Sequence, residues 1–257
     1  LIQANGKSKF FISFLLLIIQ MKKDFTAIIQ ARLGSERFPK KVLEKLEDQS
    51  LVQFLNNRLM KSKYLSNIIF AIPEKDTALE TEINHIGADY FKGSEHDVLE
   101  RFINAAEHFD IEHIVRITAD CPLTDPEMLD DMIEIYSKYD YPYISNSLPP
   151  TFPDGFDIEI FKYELLKEVH QITTNKHDRE HVTSHIRNNE KIPKYNYESD
   201  IDYSDIRLTV DTPKDLELLR VISSNIPCFT NATYKEIILF MDKHPELRKI
   251  NNGSFIN

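Results

Sequence analysis

The chain has 257 residues, of which 42% are hydrophobic and 28% are charged, and its formal net charge is −10. This composition suits a folded α/β protein of one large or two small domains, and the negative charge argues against general binding of nucleic acid or anionic membranes. The two cysteines, Cys121 and Cys228, are isolated in the sequence and indicate neither a disulfide framework nor a zinc site. We therefore expect a cytoplasmic protein with no nucleic-acid or membrane partner.

The N-terminal region carries an apolar run over residues 10–19, behind two lysines. The run is too short to span a bilayer, which needs about 20 residues, and no small-residue cleavage site follows it as in a signal peptide. Met21 stands just before the first predicted strand. We interpret residues 1–20 as a non-native upstream extension, and a membrane-proximal helix is the alternative.

From residue 25 onward, apolar runs alternate with helical patterns. Predicted strands cover residues 25–31, 67–72, 88–91, 113–118, 142–146, 155–161 and 206–210. Predicted helices cover residues 41–62, 76–86, 96–109, 125–139, 162–174, 178–189, 213–224 and 233–243. Several strands are nearly continuous apolar runs, as expected when helices bury both faces of a sheet. The pattern predicts a single α/β domain over residues 21–245 with a mostly parallel sheet flanked by helices, and a flexible tail over 246–257.

The first predicted strand runs into a loop with a local concentration of positive charge. The loop contains a small-residue pair and four cations: Gly34-Ser35, Arg32, Arg37, Lys40 and Lys41. A loop of this kind between a strand and a helix binds phosphate, because backbone N–H groups face the anion and Arg and Lys add full charges. A solvated basic turn is the alternative, but it does not explain the Gly-Ser pair or the strand-to-helix placement. The spacing matches neither a Walker A loop nor a Gly-x-Gly-x-x-Gly loop.

Two aspartates follow later predicted strands. Asp120 comes after residues 113–118 and Asp211 after residues 206–210. In open α/β sheets, ligands bind outside the carboxyl ends of the strands, and Mg²⁺ takes one or two carboxylates together with substrate phosphate oxygens. We therefore predict a Mg²⁺ site at this pair. The alternative is that both aspartates cap helices, but Asp125 and Thr212 are placed to serve as those caps.

The opening loop reads Gln-Ala-Arg-x-Gly-Ser-x-Arg-x-Pro-x-Lys-Val-Leu over residues 30–43. Here the chain resembles cytidylyltransferases that activate acidic sugars, and most closely the SpsF-like branch named for spore coat polysaccharide biosynthesis. Five later segments resemble that branch in the same order: residues 93–101, 116–126, 153–159, 179–183 and 207–217. Lys40 departs from the pattern, because glycine is common at that position of the family.

The resemblance implies a Rossmann-like, GT-A-type nucleotidyltransferase fold and a Mg²⁺-dependent transfer of CMP from CTP. The acceptor would be an acidic sugar or a phosphorylated compound, and pyrophosphate would leave, in a step of surface polysaccharide biosynthesis. By position, the resemblance makes four residues catalytic: Arg32, Lys41, Asp120 and Asp211. It assigns Arg37 to the triphosphate together with Arg32 and Lys41.

Further residues complete the predicted substrate site. Gly93, Ser94 and Asp97 are implied near the cytidine, and Asp154, Asp157 and Glu159 on the acceptor side. Gln30, Ser35, Arg116, Arg179 and His181 are also predicted to bind substrate. For the acidic cluster the alternative is an exposed strand face, and for Arg179 with His181 it is a surface ion pair beside a packed histidine.

Other functions remain open at this point. A nucleotide-sugar-dependent glycosyltransferase can use the same kind of sheet, but the triphosphate-sized set Arg32, Arg37 and Lys41 favours a nucleoside triphosphate. A non-catalytic nucleotide-binding protein does not need a pair of metal-binding carboxylates. The helical pattern over residues 233–243 fits either core packing or the surface of a homodimer.

Overall fold

The structure is a computed structural model that describes residues 25–139 and 141–251. Its strands are β1 (Phe25–Gln30), β2 (Lys45–Leu46), β3 (Gln49–Ser50), β4 (Leu65–Pro73), β5 (Asp89–Gly93), β6 (His113–Thr118), β7 (Tyr143–Ser145), β8 (Glu159–Lys162) and β9 (Lys194–Asn196). Its helices are α1 (Leu51–Leu59), α2 (Thr77–His85), α3 (Val98–His108), α4 (Pro126–Tyr139), α5 (Tyr163–Ile172), α6 (Lys176–His181), α7 (Ser184–Asn188), α8 (Pro213–Asn225) and α9 (Tyr234–Lys243). Short 3-10 helices cover Lys41–Leu43, Phe229–Asn231 and Pro245–Lys249. The predicted extension over residues 1–20 lies outside the described residues.

The central sheet has seven strands in the order β5-β4-β1-β6-β8-β7-β9. The pairs β5/β4, β4/β1, β1/β6 and β7/β9 are parallel, and β8 runs antiparallel to both of its neighbours. This arrangement confirms the predicted mostly parallel sheet. Within the described ranges, the helices lack the combination of length and apolar character that a bilayer span requires.

Helices cover both faces of the sheet, and the first strand shows why its sequence is apolar throughout. In β1, Ala27 and Ile29 belong to one hydrophobic cluster and Ile28 belongs to the other. All three side chains are fully buried. An alternating pattern would leave one face polar, so a continuous apolar run is what burial on both faces requires.

The predicted helix over residues 41–62 is wrong in its first half. The chain instead forms a 3-10 turn and the β2–β3 hairpin, whose connection includes Glu47 with a φ of 55°. The Ser50 hydroxyl then accepts the Gln53 N–H at 3.2 Å and caps α1. Periodicity of apolar residues continued across this break, and turn chemistry decided the boundary.

Two other predicted elements also differ from the structure. The predicted helix over 178–189 is broken at Val182, whose φ is 58°, into α6 and α7. The predicted strand over 206–210 is an extended buried segment that forms a single parallel bridge, Asp154 to Arg207, outside the main sheet. Its backbone is nevertheless tied to the site region, because the Val210 N–H donates to the Asp120 carbonyl at 2.8 Å.

Two segments near the C-terminus, α9 and residues 246–251, pack against the rest of the domain. In α9, Ile237 and Met241 are fully buried in the core, whereas Leu239 is exposed. Residues 246–251 of the predicted flexible tail include most of a 3-10 helix, and the buried Asn251 side chain donates to the Arg207 carbonyl at 3.1 Å. The start of this tail therefore contacts the segment that precedes Asp211.

Gly155 provides a test of how the extended segment is held. Its φ is +112°, and a Cβ added there would lie 2.5 Å from the Thr209 nitrogen and 2.6 Å from the Leu208 carbonyl carbon. We expect Gly155→Ala to lower the free energy of unfolding by roughly 3 kcal/mol or more, because backbone must move as well as adopt a strained conformation.

Gly87 is the matched control, since its φ is +70° but a Cβ added there would meet nothing within 4 Å. Gly87→Ala is expected to cost about 1–2 kcal/mol, the strain of the left-handed conformation alone. Urea unfolding of both variants measures the difference. Equal losses would show that residue 155 does not pack against residues 208 and 209 as described.

Candidate active site

The carboxyl ends of β1 and β6 lie side by side and open into a cavity of about 610 Å³. Gln30 pairs with Thr118 in the sheet, and the Ala119 N–H donates to the Gln30 carbonyl at 2.9 Å. The loops that follow the two strands therefore begin next to each other, as the sheet topology predicts. The cavity wall consists of Gln30, Ala31, Arg32, Gly34, Ser35, Glu36, Arg37, Lys41, Val42, Glu95, His96, Thr118, Ala119, Asp120, Glu180 and Asp211.

The loop after β1 folds back on itself and returns Lys41 to the cavity. The Lys40 N–H donates to the Leu33 carbonyl at 3.0 Å, and the Leu33 N–H donates to Asp76 Oδ2 at 2.7 Å. Lys40 has φ 62° and ψ 17°, the left-handed conformation. This explains the preference for glycine at this position in the resembling family, because glycine adopts that conformation without steric cost.

Lys41 lies between the two predicted metal ligands. Its Nζ donates to Asp120 Oδ2 at 2.9 Å and to Asp211 Oδ1 at 2.8 Å. The Lys41 side chain is only 9% exposed. Burial alone would lower the pKa of Lys41, but the charges of Asp120 and Asp211 outweigh it and raise the pKa above its ordinary value. Lys41 is therefore a buried cation that carries its charge at neutral pH.

Asp120 and Asp211 do not cap helices. Asp125 and Thr212 do so instead, in agreement with the prediction. Asp125 Oδ1 accepts the Glu127 N–H at 2.8 Å at the start of α4, and Thr212 forms a capping box with Asp215 at the start of α8. These neighbours satisfy the helix N-termini, so both carboxylates are available to the cavity.

Asp211 is oriented by a residue that sequence analysis did not single out. Arg207 donates through Nη2 to Asp211 Oδ2 at 2.7 Å, through Nη1 to Asp154 Oδ2 at 2.7 Å, and through Nε to Asp215 Oδ1 at 3.2 Å. Arg37 Nη2 also lies 3.1 Å from Asp211 Oδ2. Burial opposes the charge of Asp211, but Lys41 and then Arg207 and Arg37 hold its pKa below the ordinary value.

Asp215 supports this arrangement from below. The carboxylate is fully buried, and its Oδ2 accepts the backbone N–H groups of Asp211 at 3.0 Å and Thr212 at 2.8 Å. The Asn251 side chain donates to Asp215 Oδ1 at 3.0 Å. The helix cap and the C-terminal segment thus fix the backbone from which Asp211 projects. The spacing of the capping box was a signal for Asp215, but its contact with Arg207 required the tertiary structure.

The remaining residues of the opening loop line the cavity more openly. Arg32 and Arg37 are each 44% exposed on the side chain, and Arg32 Nη1 lies 3.9 Å from Glu180 Oε1. An exposed pair at this distance contributes little to stability. Gln30 and Ser35 belong to the same wall. The loop therefore contributes two partly exposed cationic side chains, Arg32 and Arg37, to the cavity wall and one buried cation, Lys41, to its floor.

The residues predicted near the cytidine contact one another and the neighbouring helices in the structure. Asp97 caps α3 by accepting the Glu100 N–H at 3.0 Å, and its Oδ2 accepts from Arg179 Nε at 2.6 Å. Gly93 lies so close to Arg101 that a Cβ there would be 3.0 Å from its Cγ. Ser94 does not line the cavity described above. Its hydroxyl accepts the Asp97 N–H at 3.0 Å. From this segment, the cavity wall instead includes Glu95 and His96, which sequence analysis missed.

Two of the predicted acceptor-side acids, Asp154 and Glu159, have different partners, and the buried Asp157 interacts electrostatically with both. Asp154 pairs with Arg207, whereas Glu159 lies at the start of β8 and points to another set of partners. Glu159 accepts from Thr183 Oγ1 at 2.7 Å and from Arg116 and Tyr143. Burial works against its charge, but Arg116 and the hydrogen bonds hold the pKa of Glu159 below its ordinary value. An exposed strand face, the alternative for this cluster, is excluded for Glu159, which is 2% exposed.

Glu159 holds Arg116 at the wall of a second, smaller cavity of about 230 Å³. The wall of this cavity consists of Arg116, His177, His181, Thr183, Ser184, Arg187 and Asn188. Arg116 Nη2 also donates to Gln30 at 3.2 Å, which connects this cavity to the first. The rings of His177 and His181 lie with centroids 4.3 Å apart and are tilted by 51° to each other, and burial lowers the pKa of His181. The second cavity is lined by cationic and neutral polar side chains.

The donor set of the first cavity bears on the predicted metal. Among residues 25–139 and 141–251, no cluster of three or more His, Cys, Asp or Glu side chains could hold a metal ion by itself. Asp120 and Asp211 nevertheless reach one common atom, Lys41 Nζ. Mg²⁺ commonly uses one or two carboxylates and takes its other ligands from substrate phosphates and water. The pair therefore fits a magnesium ion that binds together with a phosphate-bearing substrate.

The central sheet with its flanking helices has the architecture of an α/β nucleotidyltransferase fold, and the cationic loop and the carboxylate pair lie at its carboxyl edge. Residues 26–244 match the family model described as cytidylyltransferase, and the chain belongs to that family. The predicted SpsF-like resemblance is confirmed by the comparisons that follow.

The chain is similar to an uncharacterized protein of Methanocaldococcus jannaschii, with 38% identity over 231 residues that cover 88% of this chain and 93% of the relative. It is similar to the spore coat polysaccharide biosynthesis protein SpsF of Bacillus subtilis, with 32% identity over 235 residues that cover 87% and 96%. The solved structure of a cytidylyltransferase from Leptospira borgpetersenii aligns with a TM-score of 0.83 and 33% identity, covering 87% of this chain and 96% of that one.

Asp157 makes the stability of the folded protein depend on pH. Burial, together with the charges of Asp154 and Glu159, raises the pKa of Asp157 to about 7. Between about pH 4 and pH 7 the folded protein keeps this proton and the unfolded chain has lost it, so stability falls as pH rises through that window. We expect Asp157→Asn to be more stable than the wild type at pH 8, by on the order of 5 °C in Tm, and to lose this advantage near pH 4.

The exposed Asp200 is the matched control, because Asp200→Asn removes the same charge from the surface. Thermal unfolding at pH 4, 6 and 8 measures all three proteins. A difference between Asp157→Asn and the wild type that stays constant across these values would contradict the raised pKa.

Proposed function

We propose that this protein transfers CMP from CTP to an acidic sugar or a phosphorylated acceptor and releases pyrophosphate, in surface polysaccharide biosynthesis. The observation that carries the proposal is Lys41 Nζ held between Asp120 and Asp211 at the floor of the cavity behind the cationic loop. Membership of the cytidylyltransferase family supports the choice of CTP. We place the reaction in the cytoplasm, the location expected from composition.

The chemistry is a displacement at phosphorus. An acceptor oxygen attacks the α-phosphorus of CTP and forms a new P–O bond. The bond between the α-phosphorus and the oxygen that bridges it to the β-phosphate breaks, and pyrophosphate leaves with that oxygen. Such transfers depend mainly on positioning and on neutralising charge. Arg32, Arg37 and Lys41 surround the region where the triphosphate would lie, and they would neutralise the leaving pyrophosphate.

Asp120 and Asp211 would hold the Mg²⁺ that the reaction requires. When bound, this ion would polarise the phosphate and screen its negative charge. Arg207 would keep Asp211 oriented through its contact with Oδ2, while Asp215 fixes the backbone of the same residue. The protein thus prepares the carboxylates before substrate arrives, at no cost during the reaction.

The second cavity supports an anionic acceptor. Arg116 and Arg187 belong to its wall, Glu159 is buried behind them, and Asp157 also interacts electrostatically with both guanidinium groups. Burial raises the pKa of Asp157 to about 7, so Glu159 and a partly protonated Asp157 together neutralise less than the two guanidinium charges, and the cavity keeps a net positive charge. A carboxylate or a phosphate on the acceptor would complement that charge. The hydrogen bond between Arg116 and Gln30 connects this cavity to the first one, where the triphosphate would lie.

Release of pyrophosphate from CTP tests the reaction. A panel of acidic sugars and phosphorylated polyols, each with Mg²⁺, should contain an acceptor that gives pyrophosphate and a CMP conjugate in equal amounts. ATP, GTP and UTP in place of CTP test the base. Release of a nucleotide from a sugar donor, with no pyrophosphate from CTP, would identify a glycosyltransferase instead.

Lys41→Met and Asp120→Asn test the carboxylate and lysine cluster. Each removes a charge that would face the reacting phosphates, so we expect pyrophosphate release to fall on the order of 10²-fold or more. The neighbouring Lys40 is exposed, and Lys40→Met is the control. It removes the same charge, and methionine adopts the left-handed conformation of residue 40 at a cost similar to that of lysine. Turnover close to that of the wild type in Lys41→Met would refute the assigned role.

Arg187→Met tests the acceptor cavity. The Arg187 side chain is 35% exposed and lies 3.9 Å from Glu159, which keeps Arg116, Tyr143 and Thr183 as partners. We expect the KM for the acceptor to rise about tenfold or more while the KM for CTP stays unchanged, because a charge-assisted contact to the acceptor is lost. Lys191→Met, at an exposed position, is the control. Equal changes in both KM values would contradict an acceptor-specific contact.

A further inference from the structure

The ammonium group of Lys41 takes up the space where the two carboxylates converge. It contacts one oxygen of each, Asp120 Oδ2 at 2.9 Å and Asp211 Oδ1 at 2.8 Å. The other oxygen of Asp211 is bound by Arg207 Nη2 at 2.7 Å and lies 3.1 Å from Arg37. The oxygen of Asp211 that shares a partner with Asp120 is therefore the one that Lys41 holds.

An ammonium ion and a divalent cation compete for these two oxygens. Each oxygen has two lone pairs, but a cation that bridges Asp120 and Asp211 would lie within a few ångströms of Lys41 Nζ, where like charges repel strongly in a partly buried site. Lys41 is also a compact charge on a flexible stem. Since it belongs to the phosphate-binding loop that includes Arg32 and Ser35, the phosphates of a bound nucleotide offer its ammonium group an alternative anionic partner.

We propose that Lys41 is an internal competitor of the divalent cation for Asp120 and Asp211, so that the cation binds tightly only once nucleotide phosphates have drawn Lys41 away. The inference rests on the proposed function for the identity of the nucleotide, but the competition itself needs only the contacts of Lys41. Linkage makes the effect reciprocal: the nucleotide tightens cation binding by the same factor as the cation tightens nucleotide binding.

Two consequences follow for the free protein. The carboxylate pair is charge-compensated without metal, so the site keeps its geometry before substrate binds. Lys41 also lowers the affinity of the carboxylate pair for a divalent cation in the absence of nucleotide. Two carboxylates without a compensating lysine would bind the same cation more tightly. Cation and nucleotide therefore enter as a linked pair.

Mn²⁺ binding to the protein without nucleotide tests the competition. Free Mn²⁺ is measured by electron paramagnetic resonance during titration of the wild type, Lys41→Met and Lys191→Met. We expect Lys41→Met to bind Mn²⁺ on the order of tenfold more tightly than the wild type, because the competing charge is gone. Lys191→Met should bind Mn²⁺ like the wild type, since Lys191 is exposed and the substitution removes the same formal charge. Equal affinity in the wild type and Lys41→Met would overturn the proposal.

A second measurement covers the case in which Lys41→Met does not fold. In the wild type, Mg²⁺ titration is followed by NMR of the lysine side-chain ammonium groups. A buried ammonium signal that shifts as Mg²⁺ saturates the protein supports displacement, whereas lysine signals that stay unchanged at saturation overturn it. These readouts are separate from turnover. Failure to release pyrophosphate from CTP would refute the proposed function and leave the competition standing, and equal Mn²⁺ affinities would do the reverse.

Discussion

Two carboxylates brought together at the edge of a sheet repel each other, and the fold of this protein depends on how that repulsion is balanced. Asp120 and Asp211 come from loops about ninety residues apart, and one ammonium group, Lys41 Nζ, lies within 3 Å of an oxygen on each. Backbone hydrogen bonds already join the loops after β1 and β6 and the segment before α8, and the cation offsets the carboxylate repulsion at the point where they meet. With it, three separate parts of an acidic chain form one active-site floor. The same contact explains why the loop turns back at Lys40 in a strained conformation, because that turn places Lys41 inside.

A second cation performs the corresponding task one layer deeper. Arg207 holds Asp154, Asp211 and Asp215 with its three nitrogens, and all three contacts are 3.2 Å or shorter. The planar guanidinium suits this use, since its donors are fixed relative to one another. The C-terminal segment joins the same network through Asn251. Residues distant in sequence thus determine the direction in which the Asp211 carboxylate points, and the geometry of the site is a property of the whole domain.

The second cavity has the opposite arrangement of charges. There a buried carboxylate, Glu159, positions Arg116 and lies near Arg187. One cavity therefore presents carboxylates balanced by a lysine, and its neighbour presents guanidinium groups balanced by a glutamate. A metal-bearing nucleotide and an anionic acceptor would each meet the charge that complements it. Such an arrangement sorts the two substrates by electrostatics before any base or sugar is recognised.

Much of this could be read from the sequence, for identifiable reasons. The apolar runs determined the parallel sheet, since burial on both faces leaves no choice of polar positions, and the local charge of the loop after β1 indicated the cationic wall of the cavity. Asp120 was predictable because the parallel strands β1 and β6 end at the same edge. Asp211 instead follows a segment outside the main sheet, which the Val210–Asp120 backbone hydrogen bond brings to that edge. Tertiary structure alone decided the rest. Periodicity did not reveal the β2–β3 hairpin or the break at Val182, which depend on single residues with positive φ. The roles of Arg207 and Glu159 depend on contacts across 53 and 43 residues of chain, to Asp154 and Arg116. Local pattern determines which residue types are present at the sheet edge, but which charge meets which is decided only when the chain closes around them.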